Sequence, residues 1–185
     1  MEPQKLIEIL GVLENLKCNT RHCWTSSGRH ESVAEHSWRL AVMALLMKDE
    51  FPTLDMQRVI TMCLIHDFGE AITGDIPAFL KTDDDETVEA RAIDTLLSAL
   101  PQKNELRALF DEISERSTDE AKLWRALDML EALIQHNEAD ISTWIPLEYE
   151  ANLTYGQKEC AEFEYTKALR ELVHKASEDK ITQQS

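Results

Sequence analysis

Val59-Ile60-Thr61-Met62-Cys63-Leu64-Ile65-His66-Asp67-Phe68-Gly69-Glu70 is the stretch on which the reading of this chain turns. A mostly apolar run of helical character ends in two polar side chains, both competent metal ligands, where a Gly-containing loop begins. Burying an ionised carboxylate beside apolar residues is costly unless it is paired or bound to a cation. A divalent ion removes that cost for both residues at once. Adjacent helical residues point about 100° apart, so an ion held by both lies at the helix end rather than against its side. Other parts of the chain must then complete its coordination.

Outward from this stretch the pattern is helical on both sides. Pro3 suits a first helical turn, and Leu6, Ile7, Leu10, Leu13 and Leu16 repeat at helical spacing. Residues 18–31 read as polar and irregular, with Ser26-Ser27-Gly28 as a loop signal. Ser32-Val33-Ala34-Glu35 has the form of a capping box and opens a helix from about Val33 to Asp49. Pro52 precedes a third helix, from about Leu54 to His66. Residues 67–82 read as a loop with Gly69, Gly74 and Pro77. Asp83-Asp84-Asp85-Glu86 place acids at a helix start, where the dipole favours them, and that helix extends to about Leu100. Pro101 separates it from another at 103–114. Ser117-Thr118-Asp119-Glu120 starts a helix to about Ala139. The last helix is expected from about 148 to 176, weakened near Gly156, with a frayed tail over 180–185. No alternating strand pattern, internal repeat or dividing linker is evident. The expectation is an all-α bundle of six to eight helices, one domain over residues 1–185 with its core at about 6–140.

Composition bounds the function. A chain of 185 residues can bury a sizeable core. Only 5 Gly and 5 Pro among many Leu, Ala, Glu and Lys fit long helices. The formal charge of -16 excludes the basic surface that a long nucleic acid needs, and disfavours an anionic membrane. The longest apolar run, Leu40 to Met47, is too short to span a bilayer. The start Met1-Glu2-Pro3-Gln4-Lys5 does not read as a signal peptide, and Cys18, Cys23, Cys63 and Cys160 form no Cys-x-x-Cys pair. A cytoplasmic protein is the expectation.

Candidate ligands come from three helices. His36 falls just after the capping box, His66 and Asp67 end the third helix, and Asp128 sits in an apolar helical context, where Arg125 three residues earlier is its other natural partner. Two imidazoles and two carboxylates suit a borderline or hard divalent ion, with positions left for water or a substrate oxygen. His22, His30, His136 and His174 are assigned to surface or local hydrogen bonding, His30 being nearest to a supporting role.

The order His36, His66-Asp67, Asp128, with Glu31-Ser-Val-Ala-Glu-His-Ser37 and His66-Asp-Phe-Gly-Glu-Ala-Ile-Thr-Gly-Asp-Ile-Pro77, resembles the HD-domain metal-dependent phosphohydrolases, and within them the small 5′-deoxynucleotidase-like branch. The resemblance covers roughly residues 6–140. It implies the HD-domain helical bundle, with His36, His66, Asp67 and Asp128 as metal ligands and a homodimer as the assembly. The absence of histidine between Asp67 and Asp128 favours one divalent metal ion, with Mn, Co, Mg, Fe or Zn left open. Glu70 and Asp75 are the candidate catalytic acids, for proton transfer and water positioning. Arg21 is the candidate phosphate contact and Trp24 the candidate base-stacking residue, with Arg29 an alternative cation. The branch carries Trp directly after its Arg; here His22 follows Arg21. The implied activity is release of phosphate from small phosphomonoesters, nucleoside (deoxy)ribonucleotide 5′-monophosphates first, by metal-activated water. The alternatives are an HD-type nucleotide pyrophosphatase or phosphodiesterase, and a non-catalytic metal-stabilised helical module.

Overall fold

The computed structural model describes residues 1–77 and 79–183. Among them are eight helices of seven residues or more: α1 (Pro3–Leu13), α2 (Val33–Leu46), α3 (Met56–Ile65), α4 (Asp83–Ser98), α5 (Lys103–Glu115), α6 (Asp119–Glu138), α7 (Glu148–Thr154) and α8 (Glu164–Thr182). Single turns occur at Asn15–Cys18, Glu70–Thr73 and Gln157–Cys160. The all-α bundle expected from the sequence is the observed architecture.

Its helix starts are chemically specified. The Ser32 hydroxyl accepts from the Glu35 N–H while the Glu35 carboxylate accepts from the Ser32 N–H, a reciprocal cap on α2. Thr82 and Asp85 do the same for α4, and Thr118 caps α6. The 20-residue α6 carries buried side chains on every side, among them Leu123, Leu127, Leu130 and Leu133. A helix buried on so many sides lies at the centre of its bundle. Helices α2 and α3 pack on each other and both pack on α6, with α8 against its other side. Leu40, Val59, Met62 and Leu127 are fully enclosed where these meet.

Two expectations are corrected. Residues 18–31 are not all irregular: β1 (Thr20–Trp24) and β2 (His30–Ser32) pair antiparallel, Thr20 opposite Ser32 and Trp24 opposite His30, with an irregularity between. Docking supplies what the pattern lacks. Cys23 is buried, and Gln135 Nε2 of α6 donates to the Trp24 carbonyl at 2.7 Å. The C-terminal region is not one weakened helix, because Gly156 takes a left-handed conformation (φ 72°) and faces Met129 so closely that a Cβ would lie 3.1 Å from the Met129 Cβ. The chain therefore breaks into α7, a single turn and α8. Helix α8 continues through Thr182, so 180–182 is helical rather than frayed; Gln184 and Ser185 of the expected tail, and Ala78 of the expected 67–82 loop, lie outside the described residues. Within that loop Glu70–Thr73 forms a helical turn. No helix among the described residues is long and apolar enough to cross a membrane.

Candidate metal centre and active site

The capped start of α2 carries His36 into the core, where it is fully enclosed. Its Nδ1 lies 2.5 Å from Glu131 Oε2 and its Nε2 lies 3.1 Å from Asp128 Oδ1. Both acids are on α6, one turn apart. Helix α3 ends at His66, whose Nδ1–H donates to the Cys63 carbonyl at 2.9 Å. That bond leaves His66 Nε2 pointing at Asp67 Oδ2, 3.0 Å away, and at Asp128 Oδ1, 3.9 Å away. Little of this reaches solvent: the side chains of His66, Asp67 and Asp128 are 6%, 13% and 15% exposed. The fold thus brings His36, His66, Asp67 and Asp128 together from α2, the end of α3 and α6.

The donor set fits a divalent ion. His66 Nε2 and Asp67 Oδ2 are buried and neither makes a hydrogen bond, despite their proximity. Two buried polar atoms aimed at one point without a hydrogen bond between them leave bonding capacity unused, which a shared cation would take up. Asp128 divides its two oxygens: Oδ2 accepts from Arg125 Nη1 at 2.7 Å, leaving Oδ1 to the imidazoles. The Arg125 pairing foreseen as an alternative to ligation therefore coexists with the cluster. Glu131 fixes the orientation of His36, the carboxylate–histidine arrangement usual behind metal ligands. In the ion-free chain burial and the Arg21 charge push the His36 imidazole down, but Asp128 and Glu131 outweigh them and raise it to about 10. The proton on Nε2 then stands where a cation would. Burial raises both Asp67 and Asp128, yet the imidazoles and the neighbouring arginines hold both below the usual carboxylate range.

Around this cluster opens a cavity of about 910 Å³, lined by Arg21, His66, Asp67, Glu70, Asp75 and Asp128 among others. Arg21, on β1, lies 3.4 Å from Glu31 Oε2 and 3.9 Å from Asp67 Oδ2, and its buried Nε has no hydrogen bond. The turn bearing Glu70 is pinned by two asparagines: Asn19 Nδ2 donates to the Glu70 carbonyl at 2.6 Å and Asn15 Nδ2 to that of Ala71 at 2.9 Å. Glu70 is buried, with Oε2 unpartnered. Burial first, then the Asp67, Asp75 and Glu89 charges, push its carboxyl up to about 9. Asp75 is half-buried and is also raised, chiefly by burial.

Other expectations fall elsewhere. Trp24 does not line the cavity; as the last residue of β1 its ring stacks on the exposed His30, 4.1 Å between centroids. His30 accordingly supports Trp24 and not the metal ligands. Arg29 is held on the surface by Glu35. His136 is buried rather than superficial, and His22 lines the cavity wall. Sequence reasoning passed over Glu131 and Glu31, both almost fully enclosed. The available signal for Glu131 was an acid one turn beyond Asp128, set between the apolar residues Met129-Leu130 and Ala132-Leu133.

Comparison with known proteins bears on the family and the fold. The HD-domain family model matches residues 13–169. The human 5′-deoxynucleotidase HDDC2 is 33% identical over 141 residues, 73% of this chain and 68% of its own length. The Schizosaccharomyces pombe 5′-deoxynucleotidase hdd1 is 28% identical over 159 residues, 75% and 79% of the two chains. Among solved structures, a protein described as a predicted metal-dependent phosphohydrolase from Magnetospirillum magnetotacticum superposes with a TM-score of 0.81 at 30% identity, covering 97% of this chain and 92% of its own. A conserved protein from Pyrococcus furiosus superposes with a TM-score of 0.70, also at 30% identity, over 92% and 98%.

Proposed function

The chain belongs to the HD-domain metal-dependent phosphohydrolases, and from that membership we propose that it releases phosphate from nucleoside 5′-monophosphates of the ribo or deoxyribo series. The observation that carries the reading is the pair of unpartnered buried atoms, His66 Nε2 and Asp67 Oδ2, beside Asp128 Oδ1 and under a cavity of nucleotide size. The relatives named 5′-deoxynucleotidase supply the substrate class.

His36, His66, Asp67 and Asp128 would hold one divalent ion, kept in orientation by Glu131 and Arg125. When bound, such an ion supplies Lewis acidity toward a phosphoryl oxygen and acidifies a water molecule. Arg21 binds the remaining phosphoryl oxygens through its planar guanidinium. With a net charge of -16, the molecule as a whole repels an anionic substrate, so this local positive charge must dominate at short range. Glu70, protonated near neutrality in the ion-free chain, donates its proton to the departing 5′ oxygen as the phosphorus–oxygen bond breaks. Asp75 orients the attacking water and takes up its proton.

The test is a phosphate-release screen on chelator-treated protein. Nucleoside monophosphates, triphosphates and cyclic nucleotides are offered with Mn²⁺, Co²⁺, Mg²⁺, Fe²⁺ or Zn²⁺ added back. Release from monophosphates only with metal is expected, and its loss in His66→Ala and Asp67→Ala variants that keep wild-type helicity. Turnover confined to triphosphates or cyclic substrates would replace the reading with a pyrophosphatase or phosphodiesterase. Absence of turnover on every substrate would leave a non-catalytic module.

A further inference from the structure

Four donor atoms that the proposed reaction does not use gather beside the same cavity, which His22, His136 and Glu148 line. They come from β1, from the last turn of α6 and from the first residue of α7. Cys23 Sγ lies 3.2 Å from His136 Nε2 and 4.0 Å from His22 Nε2. Glu148 Oε1 lies 3.1 Å from the same His22 Nε2 and 3.8 Å from the same His136 Nε2. Cys23, His136 and Glu148 are buried, while His22 remains part-exposed. We infer that His22, Cys23, His136 and Glu148 form a second metal site, for a zinc-class ion, sharing no residue with the cluster around Asp67.

The distances carry the inference. Metal–sulfur bonds of about 2.3 Å and metal–nitrogen bonds of about 2.0–2.1 Å in a tetrahedron put neighbouring donors about 3.3–3.6 Å apart. The four contacts straddle that range, two slightly short and two slightly long; His22, Cys23 and His136 are the three mutually close donors, and Glu148 joins them through the two imidazoles. A small movement of the part-exposed His22 ring would even them. The Glu148 carboxylate is turned inward by its other oxygen, which accepts the Ile145 N–H at 2.8 Å. The His136 backbone is fixed in turn by the Trp144 indole, which donates to its carbonyl at 3.0 Å. A simple thiol–imidazole hydrogen bond would account for one of these contacts. It gives no reason for both imidazoles to aim the same ring nitrogen at one sulfur and one carboxylate oxygen.

The donor chemistry selects the ion. One sulfur, two imidazoles and one carboxylate match zinc or cobalt and mismatch magnesium or calcium, which take oxygen. Three mutually close donors, with Glu148 against both imidazoles to take the fourth position on binding, would make the site closed and structural. Binding displaces the proton that Cys23 and its imidazole neighbours share and ties the hairpin that carries Arg21 to α6 and α7.

Cobalt is the discriminating probe, since a sulfur-to-cobalt charge-transfer band requires a thiolate and the His36–His66–Asp67–Asp128 cluster has none. Chelator-stripped full-length protein is titrated with Co²⁺, and metal content is counted after Zn²⁺ loading and desalting. The wild type is expected to develop the band and to retain two ions per chain. Cys18→Ser and Asp67→Ala should keep the band, and Cys23→Ser should lose it and retain one ion fewer. His22→Ala, a change at the partly exposed ligand, should weaken Co²⁺ binding at the banded site by at least about 10–100-fold, the cost already seen on removing partners one shell further out. Wild-type protein that shows no band, or a band that survives Cys23→Ser, would overturn the inference.

Discussion

Both histidines of the candidate centre commit Nδ1 to a fixed acceptor, Glu131 for His36 and the Cys63 carbonyl for His66, which turns both Nε2 atoms toward Asp128. A ring nitrogen's role is set by what its other nitrogen meets. The candidate ligand pair His66-Asp67 was legible in sequence, because it ends an apolar run and a buried charge there needs explaining. Glu131 and Arg125 were harder, since an acid or a base on a helix usually faces water. Only the neighbours reveal that Glu131 does not. At this scale the sharpest expectation concerns Glu70. Replacing it with Ala should leave metal content unchanged and lower kcat by about 100-fold or more, the usual contribution of a positioned proton donor. Metal analysis beside steady-state rates on a nucleoside monophosphate checks it, and an undiminished kcat would remove Glu70 from the chemistry.

The helices were readable from 3.6-residue periodicity and from their caps. Ser32 and Glu35 cap α2 as their spacing implied, and that cap sets where His36 enters the core. Ser32→Ala should cost about 1 kcal/mol, as loss of an N-cap typically does. The expected signature is a lower urea midpoint with an unchanged m-value; an unaltered midpoint would mean that tertiary packing alone holds the helix start. The β1–β2 hairpin was not readable, because its strands are short and polar residues occupy most of its positions. It is specified instead by what it docks against, Gln135 on α6 and the enclosed Cys23. The same holds for the C-terminal break. Gly156 marked a weakness in sequence, but its contact with Met129 turned the weakness into a separation of α7 from α8.

Across the molecule, the buried Glu112 of α5 ties three helices together. It accepts from Arg58 of α3 and from Thr118, the cap of α6. The Arg58 hydrogen bonds, against a smaller opposing effect of burial, hold the Glu112 carboxyl below its ordinary value of 4.5. A carboxylate whose folded pKa is depressed stabilises the fold fully above its ordinary value and loses that contribution as pH falls through the folded one. The Glu112→Gln variant should therefore be less stable than wild type at pH 7, and the gap should shrink as the pH is lowered from about 4.5 toward 3. Denaturation midpoints for both proteins at several pH values measure this, and a gap independent of pH would contradict it.

The amino-acid sequence on its own determined the helices as far as α6, their order, and the presence of His36, His66-Asp67 and Asp128 along them or at their ends. Periodicity, caps and loop glycines act over a few residues, so a linear reading can find them. The tertiary structure alone decided that Glu131 stands behind His36, that Trp24 packs on His30 outside the cavity lining, and that His22 and His136 each meet both Cys23 and Glu148. The His36–Glu131 and Cys23–His136 contacts join residues about a hundred positions apart, and they exist only because α2 and the hairpin pack against the buried α6.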